Sequence, residues 1–391
     1  MSTVRGYVDL SSTFRMRMFL IAGVLIVGII AGCGGDRVLE GVSDDERIPE
    51  KQLRYAGKVT LELRESVELG SDQELPGIGF VYWMGISPEG TLMVTDSESS
   101  QAHEINYRDG KYIRSFGRTG NGPGEHSSAY NMSIDPEGRV YLLDKRRGQI
   151  LRYDRMGRYL DRTESIGVSK IHAGRKGEVF FLRVNSSLIM ELQRLDPATW
   201  GVLSSTPLSD LNQGFLSFRY SNAARLCYNA SLQAYYYLGP NDYMVKEIDA
   251  VTGEITAKFG RRPNGFVALP DRYHDIGRGT FDDVKKLRIT KVGSMTLVED
   301  RYLFVSYNHP RSPGIEWVVY MINSSGTFEV FDLDDVTSRR LQLRSEYGGV
   351  PWAEAITAAQ EYIYIWRPPR REVADRSIGT LEKYSIVLDL N

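Results

Sequence analysis

Five histidines, at 103, 126, 172, 274 and 309, and two cysteines, at 33 and 227, are the side chains best suited to bind a metal or attack a substrate. Their spacing does not concentrate them. No His-x-x-x-His, Cys-x-x-Cys or Gly-x-Ser-x-Gly occurs, so the zinc- and serine-hydrolase patterns are absent. Asp332, Asp334 and Asp335 cluster without the glycine and final glutamate of a calcium loop, and read as a solvated turn. Asp96 and Asp144 end equivalent strands, where a carboxylate bonds the backbone of its own turn. His126 and His309 stand in Pro/Gly-rich loops, where ligand contacts gather, and with Arg118 they are the binding candidates. His103, inside a strand, is expected to pack or to face solvent. Cys227, in Leu226-Cys227-Tyr228, is expected to be a small buried hydrophobe. No catalytic residue, metal site or cofactor is predicted, although calcium or zinc held by residues distant in sequence stays open.

The N-terminus sets the compartment. Arg15 and Arg17 precede an apolar run over residues 18–31, which ends in Ile30-Ala31-Gly32-Cys33. Charge, apolar core and small residues in that order make a signal peptide. The last four residues resemble a bacterial lipobox, in which the cysteine is lipidated and becomes the first mature residue, so Cys33 is the expected lipidation site. The uncharged stretch 18–35 also has the length of a membrane span, but its late glycines and short apolar core favour cleavage. Either way the rest of the chain is exported. Met16-Arg17 would make a compact signal start, and Gly34 in place of an aspartate after Cys33 favours the outer over the inner membrane. Residues 34–56 are charged and poor in large apolar side chains, and read as a tether holding a body over 57–391 off the membrane.

With 42% hydrophobic residues, 25% charged residues and a net charge of −2, that body is ordinary globular protein. Its arginine pairs, at 146–147, 261–262, 339–340 and 370–371, are scattered and read as solvated loop charges, which excludes a nucleic-acid face. Cys227 has no cysteine partner once Cys33 is lipidated, so stability must come from the core. Twenty-three tyrosines, three of them consecutive at 235–237, together with Trp83, Trp317, Trp352 and Trp366, are expected chiefly to pack.

The elements that would position these residues are repeats. Gly85-Ile86-Ser87-Pro88-Glu89-Gly90 and the strand to Asp96 align without a gap on Ser133-Ile134-Asp135-Pro136-Glu137-Gly138 and the strand to Asp144, at an offset of 48 (134 minus 86). Each copy continues as turn, strand, turn, strand. Four weaker copies follow, near 174–196, 232–254, 300–326 and 360–385, the fifth with a strand at 318–323 and a turn at Ser325-Gly326. Units of this kind bury their apolar faces only against neighbours. Short four-stranded sheets arrayed around a channel, an all-β propeller, fit the pattern. Residues 58–64 lie upstream of the first unit and are expected to complete the last sheet, closing the ring and covering its open edge. Six sheets are favoured over seven, because the surplus length sits in two stretches without repeats, 204–225 and 262–290, read as face insertions.

Phe116-Gly117-Arg118-Thr119-Gly120-Asn121-Gly122-Pro123-Gly124-Glu125, with the Pro-Glu-Gly turns and Asp-ended strands, resembles the bacterial six-bladed β-propeller lipoproteins with NHL-type repeats. His126 stands where that family usually has an aromatic residue, and Phe259-Gly260-Arg261-Arg262-Pro263-Asn264-Gly265 looks like a degenerate second copy. The link lacks the Gly-Lys-Ser/Thr ending of a phosphate loop, and its glycines suit a passage between sheets. The lipobox, the tether, the repeats and the lack of a catalytic constellation together point to a lipid-anchored binding or scaffolding module of the cell envelope, whose expected partners are the membrane and a protein, peptide or glycan. Because some similar propellers are metal-dependent lactonases or lyases, an enzyme of that kind is the alternative.

Overall fold

The computed structural model describes residues 48–69, 81–87, 90–96, 100–174, 178–209, 224–269, 289–309, 325–334, 337–341, 356–359, 361–367 and 379–388. Cys33 and the expected signal lie outside them, as do 210–223 and 270–288 of the two insertions.

The described residues form strands and turns, with no helix. After a long first strand, β1 (Arg54–Leu69), the chain lays down antiparallel sheets in sequence order. The first sheet holds β2 (Val81–Ile86), β3 (Leu92–Asp96), β4 (Gln101–Ile105) and β5 (Tyr112–Phe116). The link carries two short strands, β6 (Arg118–Thr119) and β7 (Glu125–His126). The second sheet is β8 (Ala129–Ile134), β9 (Val140–Asp144), β10 (Gln149–Tyr153) and β11 (Tyr159–Glu164). The third is β12 (Val168–Ala173), β13 (Val179–Val184), β14 (Met190–Leu195) and β15 (Val202–Pro207), and the fourth β16 (Arg225–Asn229), β17 (Ala234–Leu238), β18 (Met244–Asp249) and β19 (Ile255–Gly260). The fifth holds β20 (Lys291–Val298), β21 (Tyr302–His309), β22 (Ser325–Asp332) and β23 (Thr337–Leu341). The sixth takes β24 (Ile356–Ala359), β25 (Tyr362–Arg367) and β26 (Gly379–Leu388), and β1 supplies its outermost strand.

Packing closes the ring. Side chains alternate across a strand, so each sheet offers one apolar face to the sheet before it and one to the sheet after. Tyr235, Tyr236 and Tyr237 show this within three residues. Tyr235 and Tyr237 pack with Phe180, Leu182 and Leu192 of the third sheet, while Tyr236 packs with Leu303, Val305 and Phe331 of the fifth. Such wedges recur between every successive pair, and the last joins Tyr364, Trp366 and Leu381 to Val81, Leu92 and Val94. The molecule is an all-β, six-bladed propeller.

Between Val59 and Leu69, β1 runs antiparallel to β26, with Val59 opposite Leu388 and Leu69 opposite Gly379. The strand expected at 58–64 therefore exists and is longer than expected. Its first residues pair in parallel with β23, Arg54 opposite Thr337 and Lys58 opposite Arg340. Further upstream, residues placed in the tether belong to the body. The Pro49 carbonyl accepts the Lys258 N–H at 2.9 Å, Lys51 N–H donates to the Lys258 carbonyl at 2.9 Å, and Lys51 Nζ meets Glu247 at 2.7 Å. Arg261 covers the Tyr55 ring at 4.0 Å. Residues 49–69 thus strap the outer rims of the fourth, fifth and sixth sheets.

Three local expectations are corrected. Ser325-Gly326 opens β22 instead of forming a turn, with Ser325 opposite His309; the strand expected at 318–323 lies outside the described residues. Asp332 is not solvated: at 2% exposure, it receives Arg301 Nε at 2.9 Å and Nη2 at 2.8 Å, while Asp334 stays exposed. A carboxylate at a sheet end inside the rim needs that fork of donors to offset its lost hydration. Arg147 is not a free loop charge either. It donates to the carbonyls of Gly120 and Glu125 and to the Asn121 side chain, which fastens the glycine-rich link to the second sheet.

Candidate functional site

The innermost strands β2, β8, β12, β16, β20 and β24 all contribute to one cavity of about 280 Å³. Its lining includes Trp83 and Gly85 from β2, Ser133 from β8, Lys170 and His172 from β12, Arg225 from β16, Thr296 from β20 and Thr357 from β24. This is the central channel, and no carboxylate is among its lining residues.

The wall is built from short local contacts. Gly85 has no room for a side chain, since a Cβ there would come within 2.5 Å of the Trp83 ring. The glycine lets the indole lie along its own strand. Between sheets, side chains replace the missing strand pairing: Asn131 accepts the Ile171 N–H at 2.8 Å and Ser133 accepts the Ala173 N–H at 2.9 Å. Arg225 is buried at 3% exposure and donates through Nε to the Gly293 carbonyl at 2.8 Å and through Nη1 to that of Ala224 at 3.1 Å. Carbonyls satisfy its hydrogens while leaving its charge in place. Cys227, next to the cavity on β16, donates its thiol to the Met295 carbonyl at 3.2 Å. Burial pushes that thiol up to about 12, so it stays protonated and is a poor nucleophile at neutral pH.

His172 packs against the rings of Tyr228 and Tyr235, and burial lowers its pKa to about 4. It is neutral at physiological pH, and its Nε2 has no hydrogen-bond partner. Zinc wants three or four N, S or O ligands and calcium a shell of oxygens. Two cations and one imidazole do not fit either ion, and no group of three His, Cys, Asp or Glu able to hold a metal exists among the described residues.

The residues singled out from sequence do not meet in this cavity. Arg118 is exposed in the first link and pairs with Glu125 at 2.6 Å. His126 is fully buried beside it; its Nε2–H donates to the Ser100 carbonyl at 2.7 Å, and burial is the main cause of its lowered pKa. His309, at 5% exposure, ends β21 with Nδ1 3.1 Å from Thr290 Oγ1. Asp144 does bond its turn, accepting the Arg147 N–H at 3.2 Å, and also reaches back to the Ser127 N–H at 2.7 Å. The fully buried His103 lies 2.9 Å from Ser115 Oγ.

Sequence reasoning passed over Lys170, His172 and Arg225 as site residues, yet one signal was present. Gly85, Ser133 and His172 each stand five residues before a glycine in the sequence, Gly90, Gly138 and Gly177 in turn. All three of those places line the channel.

Comparison with known proteins agrees with the architecture. The DUF5128 family model, described as a 6-bladed beta-propeller, matches residues 80–185. A solved structure of a candidate exported protein from Bacteroides fragilis is similar at 12% identity, with a TM-score of 0.58 over 87% of this chain and 99% of that one. A member of the DUF4221 family from Bacteroides vulgatus is 9% identical, with a TM-score of 0.59 over 85% and 99% of the two chains. Hydrazine synthase of Kuenenia stuttgartiensis shares 13% identity, with a TM-score of 0.50 over 75% and 74%. At such identities the likeness is one of fold. No curated protein sequence matches this chain.

Proposed function

We propose that this chain is a lipid-anchored binding module of the bacterial envelope and that its ligand enters the central channel. The observation that carries the reading is the convergence of all six sheets on one cavity holding Lys170, Arg225 and the Trp83 ring and no carboxylate. Such a lining favours a small anion with a flat apolar portion, its charge near the two cations and its body against the indole. Catalysis has less support. The imidazole is a weak base, its pKa lowered by burial to about 4, and the thiol is held protonated. Export and anchoring rest on residues 15–33, and a structural neighbour described as a candidate exported protein is in keeping with export.

Two measurements test the two halves. Thermal shift with benzoate, citrate and inorganic phosphate as probes should stabilise the protein for at least one of them. Lys170→Gln should weaken that response about tenfold, because it removes a charge-assisted contact. Full response in the variant would refute the channel as the site. In cells, labelled fatty acid should enter the protein, and Cys33→Ser should abolish the labelling; labelling that persists would remove the anchor.

A further inference from the structure

A second cavity, of about 290 Å³, opens between the second and third sheets and shares no lining residue with the channel. Its floor is apolar, formed by Val168, Phe181 and Leu195, each at 5% exposure or less. Its rim carries Ile166 and Val202, exposed at 73% and 56%. Aliphatic side chains left open beside an apolar hollow mark a place where something apolar is received.

The polar groups of the notch are unfinished. Ser165 is 4% exposed and its Oγ has no hydrogen-bond partner; Trp200 Nε1 is likewise enclosed and unpartnered. Arg183 Nε on the same wall also lacks a hydrogen-bond partner. Buried polar atoms are nearly always satisfied, so three exceptions lining one cavity call for a cause. Trp200 is also held at φ 60°, a left-handed conformation that bulky residues seldom adopt. That backbone sets the indole against Tyr141 and Phe181, with the Arg152 guanidinium 5.1 Å from its ring centre. Trp200 fills the turn position that Gly253 takes in the fourth sheet, its N–H donating to the Asp196 carbonyl at 2.7 Å. Arg183 at the same wall is already engaged, 3.5 Å from Glu191 and 3.4 Å from Gln193, and Glu164 also lines the notch. The site therefore has no surplus positive charge to call for a carboxylate.

We propose that this notch binds an uncharged peptide unit with a leucine-sized side chain: the side chain on the apolar floor, and the amide carbonyl accepting from the Trp200 indole and the Ser165 hydroxyl. Calorimetry on the full-length protein in detergent, with N-acetyl-L-leucinamide as probe, tests it. Saturable binding is expected, with none for N-acetylglycinamide, which lacks the side chain, and weaker binding of free L-leucine, whose charges are unmatched. Ser165→Ala and Trp200→Phe should each weaken binding about fivefold, the loss of one hydrogen bond. Lys170→Gln should leave it unchanged, so this site and the channel stand or fall separately. If Trp200→Phe does not fold, Ser165→Ala still decides. Absence of binding, equal binding of the glycine analogue, tighter binding of free leucine, or an affinity unmoved by Ser165→Ala would overturn the proposal.

Discussion

At the residue scale, the chemistry of this molecule is governed by burial. His103 is fully enclosed, and burial lowers its pKa to about 4, against about 6.5 for the unfolded chain. Between those values the unfolded state binds the extra proton, so folding stability falls as pH drops from about 6.5 to about 4. The loss is on the order of 3 kcal/mol at most for this one group. Melting temperatures measured across that window should decline, and His103→Gln should flatten the decline while lowering stability at neutral pH. The channel residues were only partly legible. Their phase relative to a following glycine is written in three repeats, but the residue types vary, Gly85, Ser133 and His172, because each wall position answers to a different neighbour. Motif search sees conserved types and misses a shared position.

At the element scale, the links between sheets matter as much as the sheets. The first link is shaped by Gly117 and Gly124 at φ 64° and 72°, where a Cβ would meet Tyr153 and Tyr159. Its return path is then fixed by Arg147, reaching from the second sheet to the carbonyls of Gly120 and Glu125. Arg147→Ala should cost about 1 to 3 kcal/mol by urea unfolding, for the loss of these charge-assisted hydrogen bonds. It should also speed amide exchange in 117–126 without changing it in the third and fourth sheets. The strands were legible wherever a turn signal preceded a β-rich run. Ser325-Gly326 misled because that dipeptide usually breaks a strand, whereas here it extends one whose later residues, Val330 and Phe331, are buried. Asp332 misled for a related reason: a run of aspartates looks solvated until the guanidinium of Arg301, from the turn before β21, is placed beside it.

At the scale of the whole molecule, the six-unit count was legible because the excess length fell outside the repeats. The closing strand was legible because a ring needs one. The reach of the N-terminal segment was not, since residues 49–55 carry charges that bond to rims not readable from local sequence. Removing residues through 58 should cost stability modestly, while removing them through 69 should uncover β26 and open two wedges, the one holding Val59 and the one holding Leu69. Chromatography and thermal melts of the two truncations should show a monomer with a lower melting temperature for the first and aggregation for the second. The strap has a mechanical meaning as well. Drag applied through the chain ahead of residue 48 enters at Pro49 and is shared among three blades before it reaches the long shear contact of β1 with β26. A pull on that end would load the ring along its circumference instead of at a single sheet.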